Sequence, residues 1–321
     1  MTSQRTFTAA LGAGALLLAT LTGCAADAAP SGEGEAPVAG AVDKIGFISG
    51  ANNFWGTCLQ KGVEREAADT GVELLVANSD ADAAKELANL EDMISRGADA
   101  ILLNTVSVDA LQGGIQKAKD AGIPLYLIAV VPQNTDDILG ATVVDLGGAG
   151  ALAAGWIEED AAGSDVTVGV IAGAPGASSD YVVGGFEGAL PANATVVANQ
   201  PGMFNRAKAQ EVAENMIQAN PNLDYVFVLN EDMAAGARTA FDAAGRSDLT
   251  IVTMNGTPDG LAAIEAGQFG ASVSDSASNL GASSVRNALA LLDGSSTEKI
   301  SQMPISLITK DNTADAIPFC A

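Results

Sequence analysis

The sequence contains the stretch AKELANLEDMISRGADAILLN at residues 84–104, and it repeats this pattern at residues 207–230 as AKAQEVAENMIQANPNLDYVFVLN. Each copy starts with Ala-Lys, places Glu and Met-Ile at the same helical offsets, and ends in a β-rich run that stops at Asn. A helix, a loop and a strand fit both copies. The repeat predicts two lobes that share one fold; chance similarity of two amphipathic helices is the alternative.

Short β-rich runs alternate with helical patterns from Lys44 onward. A helical pattern at 58–69, for example, lies between strand patterns at 44–48 and 72–77. Further strand patterns follow at 100–103, 124–128, 166–171, 225–229, 249–254 and 269–273. Strands that alternate with helices of about a dozen residues are typical of parallel sheets with helices on both faces. The predicted class is α/β, with two doubly wound parallel-sheet lobes.

Residues 1–23 have the layout of an export signal, in which Arg5 precedes an apolar run that is too short to span a membrane. Leu21-Thr22-Gly23-Cys24 resembles the lipobox of bacterial lipoproteins, which predicts cleavage before Cys24 and acylation of that cysteine. A buried cysteine after a chance apolar helix is the alternative. Residues 24–42, rich in Ala, Gly, Pro and Glu, predict a flexible tether. We therefore expect an extracytoplasmic protein that contacts the membrane through its lipid alone.

The chain is strongly acidic, with 39 Asp and Glu against 15 Lys and Arg and a formal net charge of −24. Such a surface repels the phosphates of nucleic acids and anionic lipid headgroups. We therefore expect no nucleic-acid partner, and we interpret the acidity as a general surface property; an acidic site for one cation is the alternative.

Two cysteines remain once Cys24 is assigned to the lipid, namely Cys58 and Cys320. An isolated pair outside the cytoplasm tends to be oxidised. The sequence therefore predicts a disulfide between the first helix and the C-terminal tail; two free thiols are the alternative.

The sequence contains no histidine, which removes the commonest general base and the commonest transition-metal ligand. Phosphate-binding loops, Cys-x-x-Cys pairs and EF-hand spacings are also absent. Residues 148–153 match a loose dinucleotide fingerprint, but the next strand lacks the expected terminal acidic residue, so close packing of helix on sheet explains the small residues. We predict no cofactor, no metal and no enzyme; the enzyme alternative would use a carboxylate pair such as Asp180 and Asp275.

Three asparagines follow predicted strands, namely Asn104, Asn230 and Asn255. In open parallel sheets, ligands bind outside the carboxyl ends of the strands. An amide offers one acceptor and two donors, which suits hydroxyl groups. We predict a ligand site at these positions; capping of the following loops is the alternative.

Several motifs together resemble the ribose-binding protein family of type I periplasmic binding proteins. The resemblance covers essentially all of residues 44–312. The motifs are Asn52-Asn53-Phe54-Trp55, residues 84–89, Gly97 with residues 101–104, Gln200-Pro201 with Phe204-Asn205-Arg206, residues 230–233 and residues 256–260.

The resemblance implies two lobes joined by three crossings, a sugar-sized ligand in the cleft between them, and delivery to an ABC permease by a monomer. By the same pattern, the N-terminal lobe comprises residues 43–144 and 276–305. The C-terminal lobe comprises residues 145–275 together with the tail, residues 306–321.

The resemblance also implies site residues at the positions that match the family's motifs. Aromatic faces take the C–H face of a sugar ring, and amides bind its hydroxyls. The core of a lobe is the alternative place for the two aromatic residues. The matching residues are Asn53, Trp55, Asn104, Phe204, Arg206 and Asn230.

The sequence departs from the family where ribose binders carry cationic anchors. Ala129-Val130 stands in place of Asp-Arg, and Asp180 in place of an Arg. Asn255 replaces an Asp, and Asp275 replaces a Gln. Because the charged grip on ring hydroxyls is largely replaced, we expect a ligand other than ribose.

Acidic residues outnumber basic ones in the predicted cleft, with Asp180, Asp275 and Glu231 against Arg206. An anionic ligand would be repelled, so we predict a neutral sugar or polyol. An amine-bearing or cationic solute is the alternative ligand. The alternative role is that of a sensor lipoprotein that passes the closed state to a membrane receptor.

Overall fold

The computed structural model describes residues 42–321, so the predicted signal, Cys24 and almost all of the predicted tether lie outside it. Twelve strands and nine α-helices make up the described part of the chain. The strands are β1 Lys44–Ser49, β2 Glu73–Asn78, β3 Ala100–Asn104, β4 Leu125–Ala129, β5 Gly140–Val144, β6 Val166–Ala172, β7 Ala194–Pro201, β8 Tyr225–Val228, β9 Thr250–Asn255, β10 Ala271–Ser274, β11 Ile300–Met303 and β12 Ser306–Ile308. The helices are α1 Phe54–Thr70, α2 Ala83–Ser95, α3 Leu111–Asp120, α4 Leu146–Ala161, α5 Ala177–Ala189, α6 Arg206–Ala219, α7 Glu231–Ala243, α8 Pro258–Glu265 and α9 Ala277–Leu292.

The strands form two six-stranded sheets of the same topology. One has the order β2-β1-β3-β4-β5-β11, and the other has the order β7-β6-β8-β9-β10-β12. All neighbours are parallel except β12, which is antiparallel to β10. The α/β class and the two similar lobes are confirmed. All eight of those strand patterns correspond to strands, whereas β5, β7, β11 and β12 are not among them.

The repeated stretches adopt the same local structure because each begins at a capped helix. Asp82 accepts hydrogen bonds from the backbone N–H groups of Ala84 and Lys85, and Asn205 accepts one from that of Lys208. Side-chain oxygens at this position satisfy the free donors of the first helical turn. The two helices, α2 and α6, then lead into β3 and β8, which occupy equivalent places in their sheets.

Alternate residues of the central strands enter the two faces of a sheet, as the period of two requires. Ile45 and Phe47 of β1 pack in one apolar cluster, together with residues of α1 and α9. Ile48 packs in the cluster on the opposite face, with residues of α2 and α3 such as Leu90 and Ile115. Helices therefore cover both faces of the sheet, and only the ends of the strands remain accessible to a ligand.

The helix pairs beside the cleft approach closely at glycines. A Cβ on Gly62 would lie 1.9 Å from the carbonyl oxygen of Ser278, which brings α1 against α9. A Cβ on Gly150 would lie 2.1 Å from that of Val182, which brings α4 against α5. Gly150 belongs to the loose dinucleotide fingerprint, and its close contact is with a neighbouring helix, whereas Ala149 and Ala153 lie in the apolar cluster with the sheet.

Three chain segments connect the lobes, after β5, after β10 and after β11. The end of the tail makes a fourth connection. Its Cys320 is joined to Cys58 of α1 in a disulfide, with Cα atoms 5.0 Å apart. Ser278 of α9 donates its N–H to the carbonyl of Phe319 at 3.2 Å. The last residues therefore lie on the N-terminal lobe, which differs from the predicted grouping of the whole tail with the C-terminal lobe.

No helix between residues 42 and 321 is both long enough and apolar enough to span a membrane.

The disulfide closes a loop of 262 residues in sequence separation. Cross-links of this kind stabilise by roughly 2–5 kcal/mol. We predict that a reductant lowers the thermal midpoint of the wild-type protein in a calorimetric scan. The double variant Cys58→Ala/Cys320→Ala is the control, because its midpoint should be low and insensitive to reductant. Equal wild-type midpoints with and without reductant would contradict the prediction.

Candidate functional site

A cavity of about 460 Å³ lies where the carboxyl ends of the two sheets face each other. The N-terminal lobe lines it with the segments that follow β1, β2, β3 and β4. The C-terminal lobe lines it with the segments that follow β6, β7, β8 and β9. Val144, Leu146 and Asp275, at two of the crossings, complete the wall.

The structure brings together most of the residues that the sequence singled out. Both lobes contribute, which is the arrangement that a ligand held between them requires. The predicted residues that line the cavity are Asn53, Trp55, Asn104, Phe204, Asn230, Asn255 and Asp275.

Asp180 and Arg206 are not among the residues of the cavity wall. Asp180 is exposed on α5, whereas Ser179 and Val182 of the same helix line the cavity. Arg206, the first residue of α6, lies at the surface with its Nε 3.7 Å from an oxygen of Asp232. We predicted both residues because they lie near motifs in the sequence. In the structure, they occupy helix faces that do not line the cavity.

Trp55 enters the cavity from the first turn of α1, which begins four residues earlier than the sequence pattern indicated. The reason is the cap: Asn53 Oδ1 accepts a hydrogen bond from the N–H of Gly56 at 3.0 Å. Trp55 is half-buried, whereas Phe54 beside it is 55% exposed and stacks on Phe319. The two neighbouring aromatic residues therefore have different surroundings.

Two asparagines of the cavity wall, Asn53 and Asn230, also cap the helices that follow them. Asn230 caps α7 through its Oδ1, which accepts the N–H of Met233 at 2.8 Å. Asn104 is buried and donates its Nδ2 to the carbonyl of Ile128 at 3.4 Å. Within residues 42–321, the Nδ2 groups of Asn53 and Asn230 have no hydrogen-bond partner. Because capping uses the acceptor, these side chains offer donors to a ligand.

Backbone strain is concentrated around the cavity. Seven described residues other than glycine have a positive φ, and six of them line the cavity wall. Such conformations cost of order 1 kcal/mol each and persist where the surroundings enforce them. The six residues are Asp80, Ala81, Ala129, Met203, Phe204 and Asn255.

Phe204 is held against the backbone of the C-terminal lobe. A Cβ on Gly173 would lie 2.1 Å from Cζ of the Phe204 ring, so glycine is what permits this contact. Gly173 also donates its N–H to Ser179 Oγ at 3.0 Å. The ring is thus fixed as part of the wall rather than buried in the core of the lobe.

The cavity wall carries two acidic side chains and, among the described residues, no lysine or arginine. Asp80 forms an ion pair with Lys85 and accepts the Nδ2 group of Asn52 at 2.7 Å. Asp275 has no basic partner and is 7% exposed. Burial raises the pKa of Asp275 to about 7, an effect that donors from Asn255 and Trp55 oppose and the charge of Glu231 increases.

Glu231 is buried but does not line the cavity, in contrast to the sequence-based expectation. Its carboxylate accepts the N–H groups of Gly256 and Thr257 at 2.9 and 2.7 Å, and the hydroxyl of Ser272 at 2.7 Å. It therefore holds the segment that follows β9 in place. Burial raises the pKa of this carboxyl.

Sequence reasoning missed several polar residues of the wall. They follow strand ends, as Asn104 does, so the same positional signal could have found them. They are Asn52, Thr105, Ser178, Ser179 and Asn205.

A family model described as "Periplasmic binding protein domain" matches residues 45–296. The chain belongs to the periplasmic binding protein family. The resemblance to its ribose-binding members is confirmed: the ribose import binding protein RbsB of Escherichia coli K12 is 32% identical over 273 residues, which cover 82% of this chain and 89% of that protein. This periplasmic binding protein is accordingly a binding protein and not an enzyme, and its family is extracytoplasmic.

Other relatives carry different ligand names. The xylitol-binding protein of Mycolicibacterium smegmatis is 30% identical over 80% of this chain and 74% of its own length. The crystal structure of a galactofuranose binding protein superposes with a TM-score of 0.79 and 25% identity, covering 85% of this chain and 96% of that one. A Mycobacterium smegmatis protein in complex with β-D-fucofuranose gives a TM-score of 0.80 and 27% identity, covering 85% and 93%.

The contacts of Glu231 lead to a stability prediction. In Glu231→Ala, three donors lose their acceptor, two of them buried, and each buried unsatisfied group costs about 1–3 kcal/mol. We expect a clearly lower midpoint of chemical unfolding. Asp232→Ala is the matched control, since this neighbouring side chain is 57% exposed and should leave the midpoint nearly unchanged. Equal effects of the two substitutions would refute the role of Glu231.

Proposed function

We propose that this protein is the extracytoplasmic substrate-binding component of an ABC importer and that it captures a small neutral sugar or polyol. The observation that carries the proposal is the cavity between the lobes, which is lined by amides, hydroxyls and two aromatic rings and by no cationic side chain among the described residues. The ligand names of the relatives, which include ribose, xylitol and galactofuranose, support the same class.

The chemistry of the wall suits such a ligand. Trp55 and Phe204 approach from opposite lobes and provide flat apolar faces for the C–H groups of a ring or chain. The free Nδ2 groups of Asn53 and Asn230 donate to hydroxyl oxygens. The carboxyl of Asp275 accepts from a hydroxyl. A ligand that satisfies these groups contacts both lobes at once.

The proposed ligand differs from ribose, although proteins named for ribose are among the relatives. Ala129 and Val130 line the cavity and bring only apolar surface. They cannot make the charged hydrogen bonds that ribose binders make with Asp and Arg at the matching positions. A polar group of ribose placed there would lose its hydration without a partner, which costs binding free energy.

Binding is proposed to act by hinged closure. The strands of each lobe form a rigid unit, and the two lobes are joined by short crossings. Hinge motion of this kind is driven by the difference in ligand affinity between the open and closed forms. The closed form is then recognised by the permease.

The proposed anchor is a lipid on Cys24, with residues 24–42 as the tether and the folded part acting as a monomer. These positions precede the described residues, so the support is the sequence pattern alone. Mass spectrometry of the protein released from membranes should find an acylated N-terminal cysteine, and Cys24→Ala should release the protein from the membrane fraction.

The ligand class is tested by thermal shift with neutral sugars, polyols, amines and organic acids, because a ligand that binds only the folded state raises its midpoint. We expect shifts from neutral sugars or polyols. Shifts from acids alone would contradict the proposal. In cells, deletion of the gene should abolish uptake of the solute that gives the largest shift; loss of a transcriptional response with intact uptake would indicate a sensor instead.

Trp55→Ala should weaken binding of that solute by tenfold or more, since a stacking face of this size contributes more than about 1.4 kcal/mol. Isothermal titration calorimetry measures the change. Phe54→Ala is the matched control, because Phe54 is the adjacent aromatic residue and does not line the cavity. If both variants bind equally, Trp55 is not a contact.

A further inference from the structure

Asp275 occupies a special place in the fold. It follows β10, at the point where the chain crosses from the C-terminal to the N-terminal lobe, and its side chain lines the cavity. The residues on either side are held by the tail: Ser274 Oγ accepts the N–H of Ile317 at 3.1 Å, and Ser276 Oγ donates to the carbonyl of Pro318 at 2.5 Å. The chain that carries this carboxyl is therefore held to the tail on both sides of Asp275.

One oxygen of this carboxyl lacks a partner. Oδ1 of Asp275 is buried and has no hydrogen-bond partner among the described residues. Buried polar atoms are nearly always paired, so an unpaired oxygen in a ligand cavity is a position where a proton or a ligand donor belongs. Asn255 of the C-terminal lobe and Trp55 of the N-terminal lobe line the same cavity as this carboxyl.

The charged groups around Asp275 make ionisation costly. Glu231, from α7, is the charged group that acts on it, and its negative charge opposes a second one. Asp80, across the cavity, is paired with Lys85. The strands β9 and β10 carry no charged residue. On the packed helices, Lys61 of α1 is exposed, and Arg286 of α9 pairs with Glu66.

We propose that Asp275 makes ligand capture proton-linked: the empty cleft holds a proton on this carboxyl, and a ligand that donates a hydrogen bond to Oδ1 displaces the proton into solvent. The proposal rests on the proposed function of the same site and adds a determinant of specificity to it. The cleft then selects solutes that place a hydroxyl donor at Asp275. It binds them more tightly as the pH rises, because the proton on this carboxyl becomes easier to remove.

The amino-acid composition makes proton-linked binding easy to detect in this protein. The chain contains no histidine, so no ordinary side chain changes its charge near neutral pH. Because the pKa of Asp275 is raised to about 7, the empty cleft is mostly protonated at pH 6 and mostly ionised at pH 8. A ligand that requires the ionised form should bind about tenfold more tightly at pH 8 than at pH 6.

The direct test needs no ligand. Trp55 and Trp156 are the two tryptophans of the chain, so Trp156→Phe leaves Trp55 as the fluorescent reporter beside Asp275. We expect its fluorescence to change with a midpoint near pH 7. Adding Asp275→Asn should remove the transition. A flat titration, or a transition that persists in the Asn variant, overturns the proposal.

Stability supplies a second readout that also shows whether the variant folds. The folded pKa of Asp275 lies above the unfolded value, so the folded state holds the proton more tightly and loses stability as pH rises from about 4 to 7. Asp275→Asn should therefore raise the thermal midpoint relative to the wild type at pH 8 and change it little at pH 4. A lower midpoint for the variant at pH 8 would contradict the assignment.

The ligand arm uses D-ribose, xylitol, D-galactose and myo-inositol as probes in titration calorimetry at pH 6 and pH 8. A probe that binds should do so about tenfold more tightly at pH 8, and Asp275→Asn should remove the pH dependence. Equal affinity at both pH values overturns the linkage. If none of the probes binds at either pH, the proposed function is contradicted for these solutes, and the fluorescence titration still decides whether Asp275 holds the proton.

Discussion

The direction of the parallel strands is the constraint on which the rest of the structure depends. Because neighbouring strands run the same way, each must be followed by a crossover, and every segment that leaves a strand end appears at one edge of the sheet. Both sheets have the same strand order, so the two edges present equivalent segments to each other. Asn104 ends β3 and Asn230 lies two residues after the equivalent strand β8, and both therefore line the cavity.

Strain at this edge is possible because the strands behind it are buried on both faces. Every residue of β3 and β4 is buried, and the apolar clusters fix these strands independently of the segments that follow. The positive φ values of Ala129 and Asn255, at the ends of β4 and β9, then persist because the core determines where the chain must turn. Rigidity in the lobes thus provides a preorganised wall, and only the relative position of the lobes is left to change on binding.

The sequence was sufficient for the fold, and seven of its nine candidate ligand residues lie in the cavity wall, for a physical reason. Strand alternation and the repeated helix are local patterns, and a residue after a strand end must lie near the ligand edge. The same reasoning failed for Asp180 and Arg206, because their position depends on which face of α5 or α6 is turned to the cavity. It also missed β7, an exposed edge strand whose polar residues weaken the pattern, and the return of the tail, which is a contact between distant segments.

The tail changes how the hinge should be understood. Three crossings allow one lobe to rotate relative to the other about an axis through them. The tail follows the antiparallel β12 and packs beside α8, where the Thr313 hydroxyl donates a hydrogen bond to Glu265. Near its end, the disulfide joins Cys320 to Cys58 of α1. This fourth connection passes directly beside Asp275. Fewer rotations of one lobe relative to the other therefore leave all four connections intact. In the closure proposed above, the cavity walls then move while the hinge carboxyl keeps its position, which makes Asp275 the proposed fixed point against which both lobes close.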